Sequence, residues 1–305
     1  MNADSATLAA ESQLRRWFGV RLGNLRMYAP RPLEMPPPVG PRPEEPLRFA
    51  LVTPVRNMRQ FIERTVRSVL DQGYGRLDYV VKDASSSDGT PEAALRVAGP
   101  GVRVISDSDR GLAHGLNLGF AMVEGDVMAY LNGDDLLLPG TLHYVAAYFA
   151  KNPDIDVVYG HRIVIDEHDR EVGRWVLPRH NARILSWDDF IPQETVFWRR
   201  RIWERAGARF DESFQFAVDW DLWLRFRECG ARFVRLPRFI GAFRVHPAQK
   251  TATQLAGVGL SEMHALRRRS LGRDPSLFAR TLATAPYLAQ HVALSTADRL
   301  FRLYP

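Results

Sequence analysis

Cysteine is nearly absent from this sequence, since Cys229 is the single thiol among 305 residues. One thiol excludes an internal disulfide and a cysteine-rich zinc site, and it fits a reducing compartment. Long apolar runs are absent as well. The first 20 residues lack the continuous apolar core of a secretory signal, and nowhere do about 18 apolar residues follow one another, as a membrane span requires. These absences favour a globular protein of the cytoplasm.

The charges are nearly balanced, with a small basic excess. Lysine and arginine number 41 and aspartate and glutamate 35, which gives a formal charge of +6. The excess lies in RRWFGVRLGNLR at 15–26 and RRR at 267–269. A basic chain favours anionic partners such as phosphates or membrane headgroups. Because the basic residues lie outside the predicted sheet and lack aromatic interleaving of a recognised type, we expect no nucleic-acid partner.

Three segments of different composition divide the chain. Residues 1–47 begin with apolar residues at helical spacing, which indicate an amphipathic helix, and end in the proline-rich arm APRPLEMPPPVGPRPEEP. That helix packs either on the body of the protein or on a membrane surface. Residues 48–250 alternate short apolar runs with helical segments, and residues 251–305 are largely helical, with predicted breaks at LGRDP and TAP. We therefore expect one large domain with a helical appendage on each side.

The middle segment predicts an α/β fold with a doubly wound, mostly parallel sheet flanked by helices. The apolar runs RFALVTP, LDYVVKD and VRVISD predict strands, and the segments between them predict helices. A helix at about 111–124 leads to the strand GDVMAYLNGDD. Farther along, DVVYGHRIVIDEHDREVGRWVLP predicts a hairpin, and ARFVRL and FIGAFRV predict two late strands. In such folds ligands bind where strands end and the strand order reverses.

Two adjacent carboxylates, Asp134 and Asp135, directly follow a predicted buried strand in AYLNGDDLLLPG. Adjacent carboxylates repel each other unless a cation or several donors lie between them. A divalent cation held by both, with diphosphate oxygens completing its shell, is one explanation. A solvated turn is the other, because Asn, Gly and Asp are common turn residues. His246, beside Arg244 and Lys250 in FRVHPAQKT, offers a third ligand, although a lone histidine is more often structural.

Asp83 ends the second predicted strand, in VVKDASSSDGT. Small residues follow it, and their backbone can approach a ligand closely. In one interpretation the Asp83 carboxylate accepts hydrogen bonds from a base or a sugar. In the other, Asp83 caps a turn, while Asp88 caps the helix that starts near Thr90.

Asp219 lies in FAVDWDLWLRF, two residues before Asp221. That spacing points the two carboxylates to different sides of a helix. Trp220 and the apolar residues after it indicate core and cleft wall, so Asp219 would lie in a partly dry site that suits a general base. A helix-terminal charge that interacts with the macrodipole is the alternative.

The order of these motifs resembles the family 2 glycosyltransferases with the GT-A fold. Within residues 48–250 the motifs are ALVTPVRN, VVKDASSSDGT, SDSDRGLAHGLNLGFAMVEGDVMAYLNGDD, PQETVFWRR, and AVDWDLWLR with FRVHPAQKT. The resemblance implies an inverting transfer of a sugar from a nucleotide-sugar donor. On the donor side it implies Thr53, Pro54, Asp83, Asp109, Asn117, Asn132 and Asp134.

The same resemblance implies a metal site, a catalytic base and an acceptor side. Mn²⁺ or Mg²⁺ would be held by Asp134, Asp135 and His246, and the cation would neutralise the diphosphate leaving group. Asp219 would remove the proton from an acceptor hydroxyl, which attacks C1 from the opposite face. The residues expected on the acceptor side are Gln193 and Trp220.

Three positions depart from the family pattern. Asn132 stands where many members have the first Asp of the metal motif, which leaves the site one negative charge short. Val218 replaces the Glu that often precedes the catalytic Asp, and His114 with Gly115 stands where Tyr-Asp-Ala is common. These departures predict a lower metal affinity and altered donor contacts.

The expected enzyme moves a sugar, from a UDP-sugar before other donors, to a hydroxyl of a saccharide or lipid-linked acceptor, as in the assembly of bacterial surface polysaccharide. Its basic, apolar ends suit peripheral contact with the inner face of the cell membrane. A catalytically silent sugar-binding module is the alternative, and it is disfavoured because Asp83, Asp134 and Asp219 are all retained. A nucleotidyltransferase would need a glycine-rich, basic loop after the first strand, which VTPVRNMRQF lacks.

Overall fold

A computed structural model of the chain describes residues 27–34 and 47–304. Nine strands of these residues form one sheet. They are β1 (Phe49–Val55), β2 (Leu77–Asp83), β3 (Val102–Ser106), β4 (Val127–Tyr130), β5 (Leu136–Leu137), β6 (Val157–Ile165), β7 (Glu171–Trp175), β8 (Phe197–Arg199) and β9 (Phe233–Arg244).

Helices account for about half of the remaining described chain. They are α1 (Arg59–Leu70), α2 (Thr90–Val97), α3 (Leu112–Phe120), α4 (Thr141–Lys151), α5 (Ala182–Leu185), α6 (Arg200–Arg205), α7 (Val218–Glu228), α8 (Lys250–Gln254), α9 (Leu260–Leu271) and α10 (Leu277–Phe301). A 3₁₀ turn covers Gln193–Thr195, and a π-helical turn at Leu255–Gly259 joins α8 to α9.

The first half of the sheet is parallel. β1 lies between β2 and β4 and pairs parallel with both, and β2 pairs parallel with β3. Along β1, Ala50 and Val52 join one hydrophobic core while Phe49 and Leu51 join another. Both faces of the sheet are therefore covered, which explains why this strand reads as a continuous apolar run. The predicted α/β fold, with a mostly parallel central sheet and flanking helices, is confirmed.

The second half of the sheet is mixed. The order continues from β4 through β8, β6 and β9 to β5, and β7 pairs with β6. β8 is antiparallel to both β4 and β6, whereas β9 is parallel to β6. β6 and β7 form the antiparallel hairpin that the sequence predicts.

One strand, β9, stands where the sequence predicts two. Tyr159 of β6 pairs with Arg235 and His161 pairs with Phe239, so β9 carries two more residues than β6 over this stretch. The surplus contains Pro237, which is exposed and cannot donate to the ladder. The prediction of a break at this proline was wrong, because the bulge absorbs the missing donor without ending the strand.

The C-terminal helices confirm one predicted break and correct the other. α9 ends at Leu271, and the capping residue Gly272 has a φ of 68°, a conformation that favours glycine. α10, however, continues through Pro286, where a break at TAP was predicted. The proline leaves the Leu282 carbonyl without its helical donor, and both residues are exposed, so water can hydrate that carbonyl. Among the described helices, none is both long enough and apolar enough to cross a bilayer.

The described part of the N-terminal arm, residues 27–34, is attached to β7. Arg31 and Glu171 exchange backbone hydrogen bonds of 3.0 and 2.8 Å, and Tyr28 donates its N–H to Val172 at 2.9 Å. The fully buried Glu171 carboxylate also accepts from the Tyr28 hydroxyl and from Arg174. The predicted amphipathic helix and the rest of the arm lie outside the described residues. The division at 47 and 250 stays a prediction.

Candidate active site

A cavity of about 1930 Å³ opens where the central strands end. Pro54 and Val55 line it from the end of β1, and Tyr130 lines it from the end of β4. Its volume exceeds the range of about 300–1,000 Å³ that is common for small-molecule pockets. The cavity can therefore hold more than one small ligand. It lies at the edge of the sheet where the strand pattern predicts binding.

The two adjacent carboxylates after β4 have different surroundings. The Asp134 carboxylate is partly exposed, and its Oδ2 lies 3.0 Å from Nε2 of His246, which follows β9. Asp135 is buried and accepts the Arg244 N–H at 3.0 Å. Burial and the neighbouring Asp134 charge raise the pKa of Asp135 well above its usual range. Asp134 and His246 are thus the members of the predicted metal set that reach each other.

Asn132 and Gln193 hold the cavity floor through their amides. Gln193 donates Nε2–H to the Tyr130 carbonyl at 2.8 Å and accepts from Asn132 Nδ2 at 3.0 Å. Asn132 also approaches Asp135 at 3.4 Å. Asn132 therefore connects the turn that carries Asp134 and Asp135 to the 3₁₀ turn, and both amides line the cavity.

Asp219 stands in the first turn of α7 and faces the cavity. Its Oδ1 accepts the Trp220 N–H at 2.8 Å. Burial is the main reason that the pKa of Asp219 rises to about 6. Trp220 is fully buried, lines the cavity beside it and donates its indole N–H to the Leu185 carbonyl at 2.8 Å. Asp219 therefore agrees with both interpretations of its motif, because it lies in a partly dry site and also at the start of a helix.

The predicted donor-side residues fall into two groups. Pro54, Asp109, Asn132 and Asp134 line the cavity. Asp109 accepts the Gly111 N–H at 2.9 Å, and a Cβ at Gly115 would lie 2.7 Å from its Oδ2. The glycine that departs from the family pattern is thus the one that leaves room for this carboxylate. The residues of the second group, which are not among the lining residues, are Thr53, Asp83 and Asn117.

Each member of the second group fixes backbone or core next to the cavity. Thr53 shares a hydrogen bond of 2.8 Å with the Tyr79 hydroxyl. Asn117 accepts the Phe210 N–H at 2.8 Å and donates to the Phe210 carbonyl at 3.1 Å. These contacts hold β1 and the loop before α7 in place.

Asp83 is buried at the end of β2 and closes a turn. It accepts the Ser86 N–H at 2.9 Å and the Ser106 hydroxyl at 2.6 Å, besides the Ser86 hydroxyl. Asp88 accepts the Thr90 N–H at 3.0 Å, at the first residue of α2. The capping interpretation of both carboxylates therefore describes the contacts that the structure contains.

Among the charged residues of the cavity that sequence reasoning missed are Arg162, Glu194 and Asp189. Arg162 of β6 donates to the buried Glu194 carboxylate through Nε at 2.7 Å and Nη2 at 2.5 Å. Asp189 also lines the cavity, and burial, followed by the Asp219 charge, raises its pKa well above the usual range. Arg162 was hidden in the alternation of the predicted hairpin. Asp189, in SWDDFIPQET, gave the same adjacent-carboxylate signal as Asp134 and Asp135.

The family model for glycosyl transferase family 2 matches residues 50–216, which is more than half of the chain. The chain belongs to glycosyl transferase family 2. The resemblance that the motif order implied is therefore confirmed, and the protein is a glycosyltransferase.

Curated relatives of this glycosyltransferase carry related names. A PGL/p-HBAD biosynthesis glycosyltransferase from Mycobacterium bovis is 28% identical over 181 residues, which cover 58% of this chain and 68% of the relative. The O-antigen biosynthesis protein RfbC from Myxococcus xanthus is 28% identical over 185 residues, 59% of this chain but 14% of that protein.

Solved structures share the fold of this glycosyltransferase at low sequence identity. TarS from S. aureus in complex with UDP-GlcNAc matches with a TM-score of 0.61 and 18% identity, over 83% of this chain and 76% of that one. The mannosyltransferase PcManGT from Pyrobaculum calidifontis, in complex with GDP-Man and Mn²⁺, matches with a TM-score of 0.59 and 21% identity, over 96% and 85%. The predicted GT-A fold is confirmed by these neighbours.

Proposed function

We propose that this glycosyltransferase moves a sugar from a nucleotide-sugar donor to an acceptor hydroxyl, with inversion at C1 and with Asp219 as the general base. One observation carries the proposal: Asp219, with a pKa of about 6, shares one cavity with Asp134 and His246. A carboxylate with such a pKa is ionised at neutral pH and still basic enough to accept a proton in the transition state.

The donor lies at the ends of β1, β2 and β4 in this proposal. Pro54, Asp109 and Asn132 contact it from the cavity wall, while Thr53 and Asn117 hold that wall from behind. A carboxylate offers about four lone-pair positions. Two serines take three of those at Asp83, and the carboxylate is buried behind the cavity lining, so its contact with a nucleobase stays a prediction. The neighbours with UDP-GlcNAc and GDP-Man support a nucleotide sugar, and a UDP-sugar is the first candidate.

Asp134 and His246 fit a divalent cation as a two-point anchor. Adjacent ligands about 2.1 Å from an octahedral cation lie about 3.0 Å apart, and Oδ2 of Asp134 lies 3.0 Å from Nε2 of His246. Among residues 27–34 and 47–304, no three His, Cys, Asp or Glu side chains form a ready-made metal site. Diphosphate oxygens and water would therefore complete the shell, with Asp135 behind Asp134. Mn²⁺ or Mg²⁺ held there would neutralise charge on the diphosphate as the C1–O bond breaks.

The reaction in this proposal is one displacement. Asp219 accepts the proton of the acceptor hydroxyl while the hydroxyl oxygen attacks C1, and the nucleoside diphosphate leaves from the opposite face. Trp220 forms the wall beside the base, and Gln193 fixes the floor between Tyr130 and Asn132. The acceptor is a saccharide or carries a lipid. The relatives named for PGL/p-HBAD and O-antigen biosynthesis support an acceptor of this kind.

A thermal-shift experiment tests the donor and the cation together. The protein is screened with UDP, GDP, dTDP and CMP sugars, each with and without Mn²⁺ or Mg²⁺. We expect one nucleotide to raise the midpoint, with a metal-dependent increment, because a ligand at about 100 times its Kd adds about 2.7 kcal/mol of stability. Asp134→Asn removes the metal-dependent increment in this prediction.

Asp154→Asn is the matched control, because Asp154 is exposed and pairs with Arg232 away from the cavity. The control keeps the full increment. If both variants respond alike, the cation does not lie at Asp134. No shift with any nucleotide would favour the silent sugar-binding module, which the turnover assay described in the Discussion separates from an enzyme.

A further inference from the structure

The cavity has an acidic side and an apolar side. Carboxylates face it from the turn after β4, the 3₁₀ turn and the start of α7. The chain after Gln254 contributes five apolar side chains among eight, and the others are Arg280, Thr281 and Thr284. Phosphates and sugar hydroxyls need polar partners, so a donor occupies the acidic side. Because the volume of about 1930 Å³ exceeds what one small ligand fills, space remains against the apolar side.

Helix α10 supplies most of that apolar side from a single face. Four of its six lining residues recur at intervals of four, three and four positions, which keep side chains on one face of a helix. Phe278 stands at the mouth and is 78% exposed. We call this surface the α10 wall, and it consists of Leu277, Phe278, Arg280, Thr281, Thr284 and Leu288, together with Met263 of α9.

Contacts from neighbouring positions of the same helix, and from Met263, fix the α10 wall to the body. Nδ1 of His291 lies 2.6 Å from the Val176 carbonyl oxygen. The Tyr287 and Phe190 rings pack with their centroids 4.7 Å apart. Met263 packs against the core that contains Trp220. The wall is therefore already in place and continuous with the residues beside Asp219.

We infer that the α10 wall binds an apolar aglycone, so that the acceptor is an amphipathic glycoside and not a free saccharide. The inference rests on the proposed function, because it takes the acceptor hydroxyl to lie at Asp219. With the hydroxyl there, the rest of the acceptor extends past Trp220 toward Met263 and the mouth. An aglycone that follows this path covers Phe278, which is otherwise in water, and each buried methylene favours binding.

Matched alkyl glycosides test the inference through binding. Methyl and n-octyl glycosides of glucose, galactose, mannose and N-acetylglucosamine are titrated calorimetrically below micelle-forming concentrations. We expect the octyl form of each bound sugar to bind at least about tenfold more tightly than its methyl form, since several methylenes leave water. Phe278→Ser lowers that ratio to about threefold or less.

Leu282→Ser is the matched control. Leu282 lies one turn after Phe278 on the same helix and is 66% exposed, but it is not among the cavity-lining residues. The control keeps the octyl-to-methyl ratio of the unchanged protein. Equal reductions in the two variants would overturn the inference in favour of a general apolar or membrane-binding face. A ratio near one in the unchanged protein would overturn it directly, as would a ratio that Phe278→Ser leaves intact.

The outcome is separable from that of the proposed function. A protein that prefers octyl glycosides but shows no shift with any nucleotide sugar has the α10 wall without the proposed chemistry. A protein that binds and turns over a donor but ignores the aglycone has the chemistry without the wall.

Discussion

Replacement of Asp219 by asparagine lowers kcat for sugar transfer by about 10²–10⁴-fold, the usual contribution of a positioned general base. The amide has nearly the same shape and can still accept the Trp220 N–H at Oδ1, so the helix start is retained. Turnover of the donor identified by thermal shift is measured with the octyl glycosides, and donor binding is measured alongside. We expect the loss in kcat with little change in donor affinity.

The pH profile identifies the same group. Because the pKa of Asp219 is about 6, kcat/KM of the unchanged enzyme falls about tenfold per pH unit below pH 6 and levels off above it. This fall of kcat/KM below pH 6, the acid limb of the profile, is absent from the residual activity of Asp219→Asn. An asparagine variant that keeps the limb, or retains a tenth of the activity, would exclude Asp219 as the base. If Asp219→Asn turns over as fast as the unchanged enzyme, and kcat/KM of neither depends on pH near 6, another group is the base. Asp189 is then the first to examine.

Folding stability changes with pH in the direction opposite to kcat/KM. The unfolded carboxyl has a pKa near 3.9, so the folded state binds the proton more tightly between about pH 4 and pH 6. Folding stability attributable to this group therefore decreases as pH rises through that window and stays low above it. Asp219→Asn removes a buried charge at pH 8, and we expect its thermal midpoint there to exceed that of the unchanged protein. At pH 4 the two midpoints converge.

Replacement of Arg162 by methionine produces the largest loss of stability that we expect from one substitution. Arg162 pairs in a bidentate manner with Glu194, whose side chain is fully buried. Its guanidinium carbon lies 4.7 Å from the Trp175 ring centroid and 4.3 Å from that of Phe243. Methionine fills part of this space but leaves a buried carboxylate without its cation, which typically costs about 3–5 kcal/mol. Thermal unfolding should show a midpoint lower by roughly 5–15 °C.

The double variant Arg162→Met/Glu194→Met distinguishes lost charge pairing from lost packing. Removing both charges leaves no unpaired ion, so we expect the double variant to be more stable than Arg162→Met alone. A double variant as unstable as the single one would show that the arginine acts through its stacking between the two rings. The arginine charge lowers the pKa of Asp219. If Arg162→Met folds, we therefore expect its kcat/KM to begin to fall at a higher pH than that of the unchanged enzyme.

Local sequence patterns predict the parallel half of the sheet well, for a physical reason. β1, β2 and α1 carry their own periodicity, and the burial of Phe61, Ile62 and Val66 on one side of α1 follows from spacing alone. Pro237 and Pro286 were misjudged because their effects depend on surroundings. A bulge accommodates the first, and hydration of an exposed helix face accommodates the second. Neither the bulge nor the exposure is visible in a local window of sequence.

Asp134 was found because it follows a strand, where the fold itself directs ligands, and Asp219 was found because it starts an apolar helix. Asp134 and Asp219 reach the cavity, as their motifs predict. The sequence could not show that Asp83 is already engaged by Ser86 and Ser106, since that depends on side-chain directions. Nor could it show that Arg162 and Glu194, 32 positions apart, meet as a buried pair. Long-range pairs of this kind carry no local signature.

The cavity's acids and its α10 wall come from different parts of the chain. The lining carboxylates all precede residue 250, whereas the wall is built after it. Substitutions of the wall's apolar residues can therefore accumulate in a lineage without altering the charges that act on the donor. Descendants of one ancestral enzyme can in this way come to modify different acceptors while they retain the same chemistry. Differences in acceptor among related enzymes should therefore be sought first in the sequences of α9 and α10.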